Sequence, residues 1–79
     1  MRRAALAVSK KEDKMGYISA LRESIEDEMR VKGHFDKVQN ILFLHRTDHN
    51  SDIYAVKGNN NRLLAIAEVE EDNEIGLYF

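Results

Sequence analysis

The sequence predicts one α+β domain, in which a single N-terminal helix packs on a three- or four-stranded antiparallel meander. Apolar residues recur at helical spacing in the first half of the chain, whereas the second half holds short apolar or β-branched runs separated by turn residues. The connections between those runs are short, and short connections join antiparallel neighbours. The expected order is therefore α-β-β-β-β in two layers, and the 79 residues form a single domain, 1–79.

The helix is predicted to run from about Lys10 to Lys32. Ser9 and Glu12 form a capping box ahead of it, and Gly33 stands where a glycine commonly ends a helix. Gly16 weakens the first turns, so a later start, just after Gly16, remains an alternative. The stripe expected to face the core consists of Met15, Ile18, Leu21, Ile25 and Met29.

Four strands are predicted after the helix, separated by segments rich in Gly, Asn and Asp. A second helix over Phe35 to Leu44 is the alternative for the first of them, because its apolar residues also fit a helical face. The turns are expected at Asp48 to Asp52, Gly58 to Asn61 and Glu71 to Glu74. The predicted strands are Val38 to Arg46, Ile53 to Lys57, Leu63 to Glu70 and Ile75 to Phe79.

Neither face of the predicted central strands is polar. Ile41 and Phe43 point one way along their strand, and Leu42 and Leu44 point the other way. One helix covers one face, so a second covering layer is expected, either from residues 1–8 or from another chain. A large uncovered apolar patch marks an interaction site, and we therefore predict a binding surface or a homodimer.

Charge is distributed unevenly along the chain, although the net charge is only −2. Residues 1–16 hold five basic and two acidic groups, and residues 62–79 hold one basic and five acidic groups. The chain lacks cysteine, and the apolar run of residues 4–8 is shorter than the roughly 7–15 residues of a signal-peptide core. We expect a cytoplasmic protein without a membrane-spanning segment.

Few residues suggest chemistry. His45, Asp48 and His49 combine imidazole and carboxylate groups that bind transition metals, but they fall on a strand end and a turn and no third ligand is specified. We expect polar turn residues there and no metal. Serine residues lack a nucleophile motif, and no glycine-rich phosphate loop is present. The sequence predicts neither a cofactor nor an enzyme.

The favoured function is a small non-catalytic protein-binding module of the adaptor or inhibitor type. Its surface is expected on the sheet face that the helix leaves uncovered, because aromatic anchors dominate protein interfaces. An acidic rim beside that face would suit a basic partner. The predicted anchors are Phe43, Tyr54 and Tyr78, and the predicted rim residues are Glu68, Glu70 and Glu71.

The alternative is a nucleic-acid-binding accessory protein. Residues 1–9 could form a flexible basic arm that continues into the helix and contacts phosphates, while Tyr54 or Tyr78 stacks on bases. The acidic C-terminal third and an isoelectric point near 5.9 disfavour this alternative. The residues that would bind nucleic acid are Arg2, Arg3, Lys10, Lys11 and Lys14.

Overall fold

A computed structural model of the chain describes residues 4–5 and 14–79, and its elements follow the predicted order. The helix α1 (Lys14–Val31) precedes four strands, β2 (Asn40–Arg46), β3 (Asp52–Lys57), β4 (Leu63–Val69) and β5 (Glu74–Tyr78). A two-residue strand, β1 (Ala4–Ala5), was not predicted. All neighbours are antiparallel in the order β1-β5-β4-β3-β2, so the predicted α+β fold is confirmed and the alternative helix over 35–44 is wrong.

The core lies between α1 and one face of the sheet. The helix contributes Tyr17, Leu21, Ile25 and Met29, which recur every four residues and are all buried. Ile18, which the predicted stripe placed in the core, is 37% exposed instead. Steps of four advance by about 40° around a helix, so the buried stripe winds across the helix surface and takes in Tyr17 in place of Ile18. The sheet contributes Ile41, Tyr54, Val56, Ala65, Ala67, Val69, Ile75 and Leu77.

The helix ends at the predicted glycine. Gly33 has a φ of +86°, its N–H donates to the Arg30 carbonyl at 3.0 Å, and the N–H of His34 donates to the Met29 carbonyl at 2.8 Å. This pair of bonds is the Schellman motif, which satisfies carbonyls that the helix leaves without partners. The His34 ring then stacks on Phe79 with centroids 4.1 Å apart, so the end of α1 packs against the segment that follows β5.

Two hairpin turns share one design and lie at the same end of the sheet. In both Thr47–Ser51 and Glu70–Glu74, the first N–H donates to the last carbonyl at 2.8 Å. The fourth residue of each turn, Asn50 or Asn73, has a positive φ and donates its N–H to the first carbonyl. Asparagine tolerates a positive φ, which explains why an asparagine occupies this position in both turns.

The sheet face opposite α1, called the open face below, has no helix or strand over it among residues 4–5 and 14–79. Ala4 and Ala5 pair with Ile75 and Glu74 at the β5 edge. They therefore extend the sheet sideways and do not form the second layer that was one of the two expectations for residues 1–8.

Candidate binding surface

An apolar row crosses the open face. Leu42 of β2 is paired with Ala55 of β3, Ala55 with Ile66 of β4, and Ile66 with Tyr78 of β5. Directly opposed residues of antiparallel strands point to the same face, so the four side chains lie side by side. Leu42 and Tyr78, at the two ends of the row, are 41% and 53% exposed.

The edge strand β2 holds a run of exposed apolar residues. Three consecutive residues, Leu42, Phe43 and Leu44, are each about half exposed. The cause is position. Among residues 4–5 and 14–79, β2 pairs with β3 alone, and α1 lies nearest to β1 and β5 at the opposite side. Apolar side chains are therefore left in solvent on both faces of this edge strand.

A shallow acidic groove lies at the end of the sheet where the two hairpin turns meet. It has a volume of about 640 Å³. Antiparallel order brings the β2–β3 turn and the β4–β5 turn to the same end of the sheet. The four carboxylates of the groove all come from residues 68–72. A groove of one charge sign attracts cationic groups such as lysine and arginine side chains. The lining residues are His49, Ser51, Glu68, Glu70, Glu71 and Asp72.

One hydrogen bond joins the apolar row to the acidic groove. The Tyr78 hydroxyl, at the end of the row, donates to Glu68 Oε1 at 3.1 Å. Glu68 lines the groove, and its side chain is therefore held beside the tyrosine ring. The apolar row and the acidic groove are therefore continuous at this point and form one surface that is apolar along its length and acidic at one end.

A second polar cluster lies on the helix side of the sheet. Tyr17 and Tyr54 are buried, and Asp52, also buried, pairs with Arg46 at 3.6 Å between Oδ1 and Nε. Burial raises the pKa of Tyr17, and the nearby Tyr54 hydroxyl and the Asp52 charge raise it further. Burial also raises the pKa of Tyr54, with Tyr17 opposing and Asp52 adding to the shift. Both phenols remain protonated at neutral pH, and both rings belong to the hydrophobic core.

The three predicted aromatic anchors do not share a surface. Tyr78 lies on the open face, as expected, but Tyr54 lies in the core under α1. Phe43 is paired with Tyr54 and therefore points to the helix side, where the two rings meet edge to face with centroids 5.7 Å apart. Placing Tyr54 and Phe43 on the uncovered face was wrong, because strand alternation carries both side chains toward α1.

The predicted acidic rim is brought together. Glu68 lies on β4, and Glu70 and Glu71 begin the turn that follows it. All three line the acidic groove. Of the predicted basic residues, only Lys14 is described, and it begins α1. Arg2, Arg3, Lys10 and Lys11, like the capping box of Ser9 and Glu12, fall outside the described residues.

The histidine motif is spread over two elements. His45 lies on β2, and Asp48 and His49 lie in the following turn, where His49 lines the acidic groove. Within residues 4–5 and 14–79, no group of three or more His, Cys, Asp or Glu side chains is arranged to hold a metal ion. The described part of the chain also has no helix of the length and apolarity needed to cross a membrane.

Sequence reasoning did not choose Leu42, Ala55 and Ile66 as binding residues. Their alternation with the core positions was visible, but the search for anchors favoured aromatic side chains. The available signal was alternation, since a strand residue next in sequence to a helix-facing residue points to the open face. Once hairpin lengths are known, that rule assigns all four members of the row.

Comparison with protein-family models, with curated proteins and with solved structures found no match for the chain. Function is therefore inferred from the surface itself. The features that differ from an ordinary solvated sheet are the apolar row, the exposed edge strand β2 and the adjoining acidic groove.

Proposed function

We propose that this protein is a non-catalytic protein-binding module of the adaptor or inhibitor type, which binds through the open face and the acidic groove. The observation that supports this most directly is the Tyr78–Glu68 hydrogen bond, which joins the exposed end of the apolar row to a group of carboxylates. Apolar contact area supplies affinity, and charged rims supply orientation and association rate.

The chemistry of this surface indicates what its partner looks like. The partner carries an apolar patch that covers Leu42, Ile66 and Tyr78. Next to that patch it carries lysine or arginine side chains that enter the acidic groove. Tyr78 suits an anchor where the apolar row meets the groove, because tyrosine buries a large area at low entropic cost and its hydroxyl is already oriented by Glu68. A partner that lacks the basic residues would lose attraction at the groove.

The test compares capture of proteins from a nuclease-treated lysate of the source cells by four variants of the tagged chain. Tyr78→Ala removes the proposed anchor, and Phe35→Ala is its matched control, because Phe35 is 77% exposed and lies outside the sheet. Glu71→Lys reverses a charge in the acidic groove, and Glu23→Lys reverses an exposed charge on α1.

We expect Tyr78→Ala and Glu71→Lys to lose a stoichiometric partner that the two controls retain. Equal retention by all four variants would contradict the assignment of this surface. Material that is retained only without nuclease, and lost when Arg2 and Arg3 are changed to Ala, would instead support the nucleic-acid alternative.

A further inference from the structure

The outer edge of β2 is open to another strand in the part of the chain that the structure describes. There β2 is the last strand of the sheet and pairs with β3 alone. The Ile41 N–H donates to the Asn40 side chain, Oδ1, at 2.9 Å, so a side chain of the same strand satisfies this amide. Alternation along an antiparallel pair places the amide of Phe43 on the same outward side as that of Ile41. The edge therefore presents a short row of backbone groups that a strand could pair with.

Exposed apolar side chains lie on both faces of this edge. Leu42 belongs to the open face, whereas Phe43 points to the helix side, and each is about half exposed. A partner stacked on the open face would cover Leu42 and leave Phe43 in solvent. A strand added beside β2 would contact both, because its own side chains alternate between the same two faces.

We propose that the β2 edge pairs antiparallel with β2 of a second copy of this chain, which joins two five-stranded sheets into one continuous sheet. In the register that uses both outward amides, Leu42 faces Leu42 of the second copy across the two-fold axis. Ile41 then faces Phe43 of the second copy, and Asn40 faces Leu44. The contact is apolar on both faces of the sheet, and the Asn40 side chain yields its bond with Ile41 to a carbonyl of the second copy.

Charge placement favours the antiparallel arrangement with an identical strand. The one formally charged residue of β2, Arg46, stands at the C-terminal end, and the strand contains no acidic residue, lysine or proline. Antiparallel pairing moves the two Arg46 side chains to opposite ends of the contact, whereas parallel pairing would set them side by side. Proteins commonly protect an exposed edge with charge or proline, and β2 lacks both over residues 40–45.

Among the described residues, no helix or strand occupies the outer side of β2, which leaves room for the second copy. The helix α1 lies nearest to β1 and β5, at the other side of the sheet. The register shift between Phe43 and His45 interrupts the pairing with β3, which resumes at His45 and Ile53, so the proposed contact is short and centred on residues 40–44. Pairing through β2 also places the open faces of the two copies side by side in one surface. The dimer contact itself depends on β2 alone and does not require the partner proposed above.

The decisive experiment uses the absence of cysteine from the chain. A single Leu42→Cys places two thiols across the proposed two-fold axis, where opposed Cα atoms of a non-hydrogen-bonded pair lie about 4.5 Å apart, within disulfide range. Ile66→Cys is the matched control, because Ile66 lies in the same row of the open face but on β4. We expect mild oxidation to give a disulfide dimer with Leu42→Cys and not with Ile66→Cys.

Sedimentation equilibrium supplies the second measurement. The unmodified chain is expected at twice its monomer mass of 9.1 kDa. Leu42→Lys should raise the dimer dissociation constant about 100-fold or more, since it removes apolar burial at two places in each dimer. Leu63→Lys, at a similarly exposed leucine on β4, should leave the constant unchanged, and so should Tyr78→Ala.

Three results would overturn the proposal. One is a monomer at the highest soluble concentration of the unmodified chain. Another is cross-linking of Ile66→Cys without Leu42→Cys, which indicates stacking of open faces. The third is equal dissociation by Leu42→Lys and Leu63→Lys. Because Tyr78→Ala tests the partner surface and leaves β2 intact, failure of one proposal is distinguishable from failure of the other.

Discussion

Tyr17 of α1 and Tyr54 of β3 meet in the core, and the Tyr17 hydroxyl is buried without a hydrogen-bond partner among the described residues. Burial raises the pKa of Tyr17, and the neighbouring Tyr54 hydroxyl raises it further. A buried polar group without a bond is destabilising. The contact nevertheless fixes how the N-terminal half of α1 lies on the sheet, because Tyr17 replaces Ile18 in the buried stripe.

Tyr17→Phe is expected to leave the fold intact and to increase the free energy of unfolding by up to about 1 kcal/mol. It removes the unpaired hydroxyl and keeps the ring that fills the core. Urea unfolding followed by circular dichroism measures the change. A loss of stability of more than about 1 kcal/mol would show that the hydroxyl makes a bond that matters.

Stability should fall as the pH rises above about 10, the pKa of tyrosine in an unfolded chain. The pKa values of Tyr17 and Tyr54 are raised in the folded state, chiefly by burial, so the folded protein holds these protons more tightly than the unfolded one. The two tyrosines contribute fully to the free energy of unfolding below pH 10. This contribution is lost as the pH rises toward their folded-state pKa values. Urea midpoints between pH 8 and about 11.5 measure the slope, and it should be shallower in Tyr17→Phe/Tyr54→Phe. An equal slope in both proteins would contradict the assignment.

Two isoleucines of α1 provide a matched test of the buried stripe. Ile25 is fully buried, whereas Ile18 is partly exposed. Ile25→Ala should lower the free energy of unfolding by about 2–5 kcal/mol, because it leaves a cavity. Ile18→Ala, with the same change of helix propensity, should cost about 1 kcal/mol or less. Chemical denaturation of both variants ranks them, and similar losses would favour the stripe that the sequence predicted.

Gly33→Ala should destabilise the protein by about 1 kcal/mol. The positive φ of Gly33 disfavours any side chain, whereas the space around it is open, so the effect comes from backbone strain alone. Gly33→Asn should cost less, because asparagine tolerates this conformation. Thermal unfolding of the two variants supplies the comparison, and an Ala variant as stable as the Asn variant would refute the strain argument.

Local signals predicted most of the fold. The apolar runs and the Asn- and Gly-containing turns located all four main strands to within two residues, since hairpin geometry depends on neighbours in sequence. Gly33 located the helix end for the same reason. The strand β1 was not predicted, because two alanines carry no periodic signal and pair with β5 only through a contact distant in sequence.

Residue type and short connections were enough to predict one helix followed by four antiparallel strands, and the apolar character of both faces of β2. Which face α1 covers depends on tertiary packing, and with it that Tyr54 is core and Tyr78 is surface. Tertiary packing also decided that the two hairpin turns meet at an acidic groove. These outcomes depend on how the helix and sheet pack, and packing selects among faces that local propensity leaves equivalent.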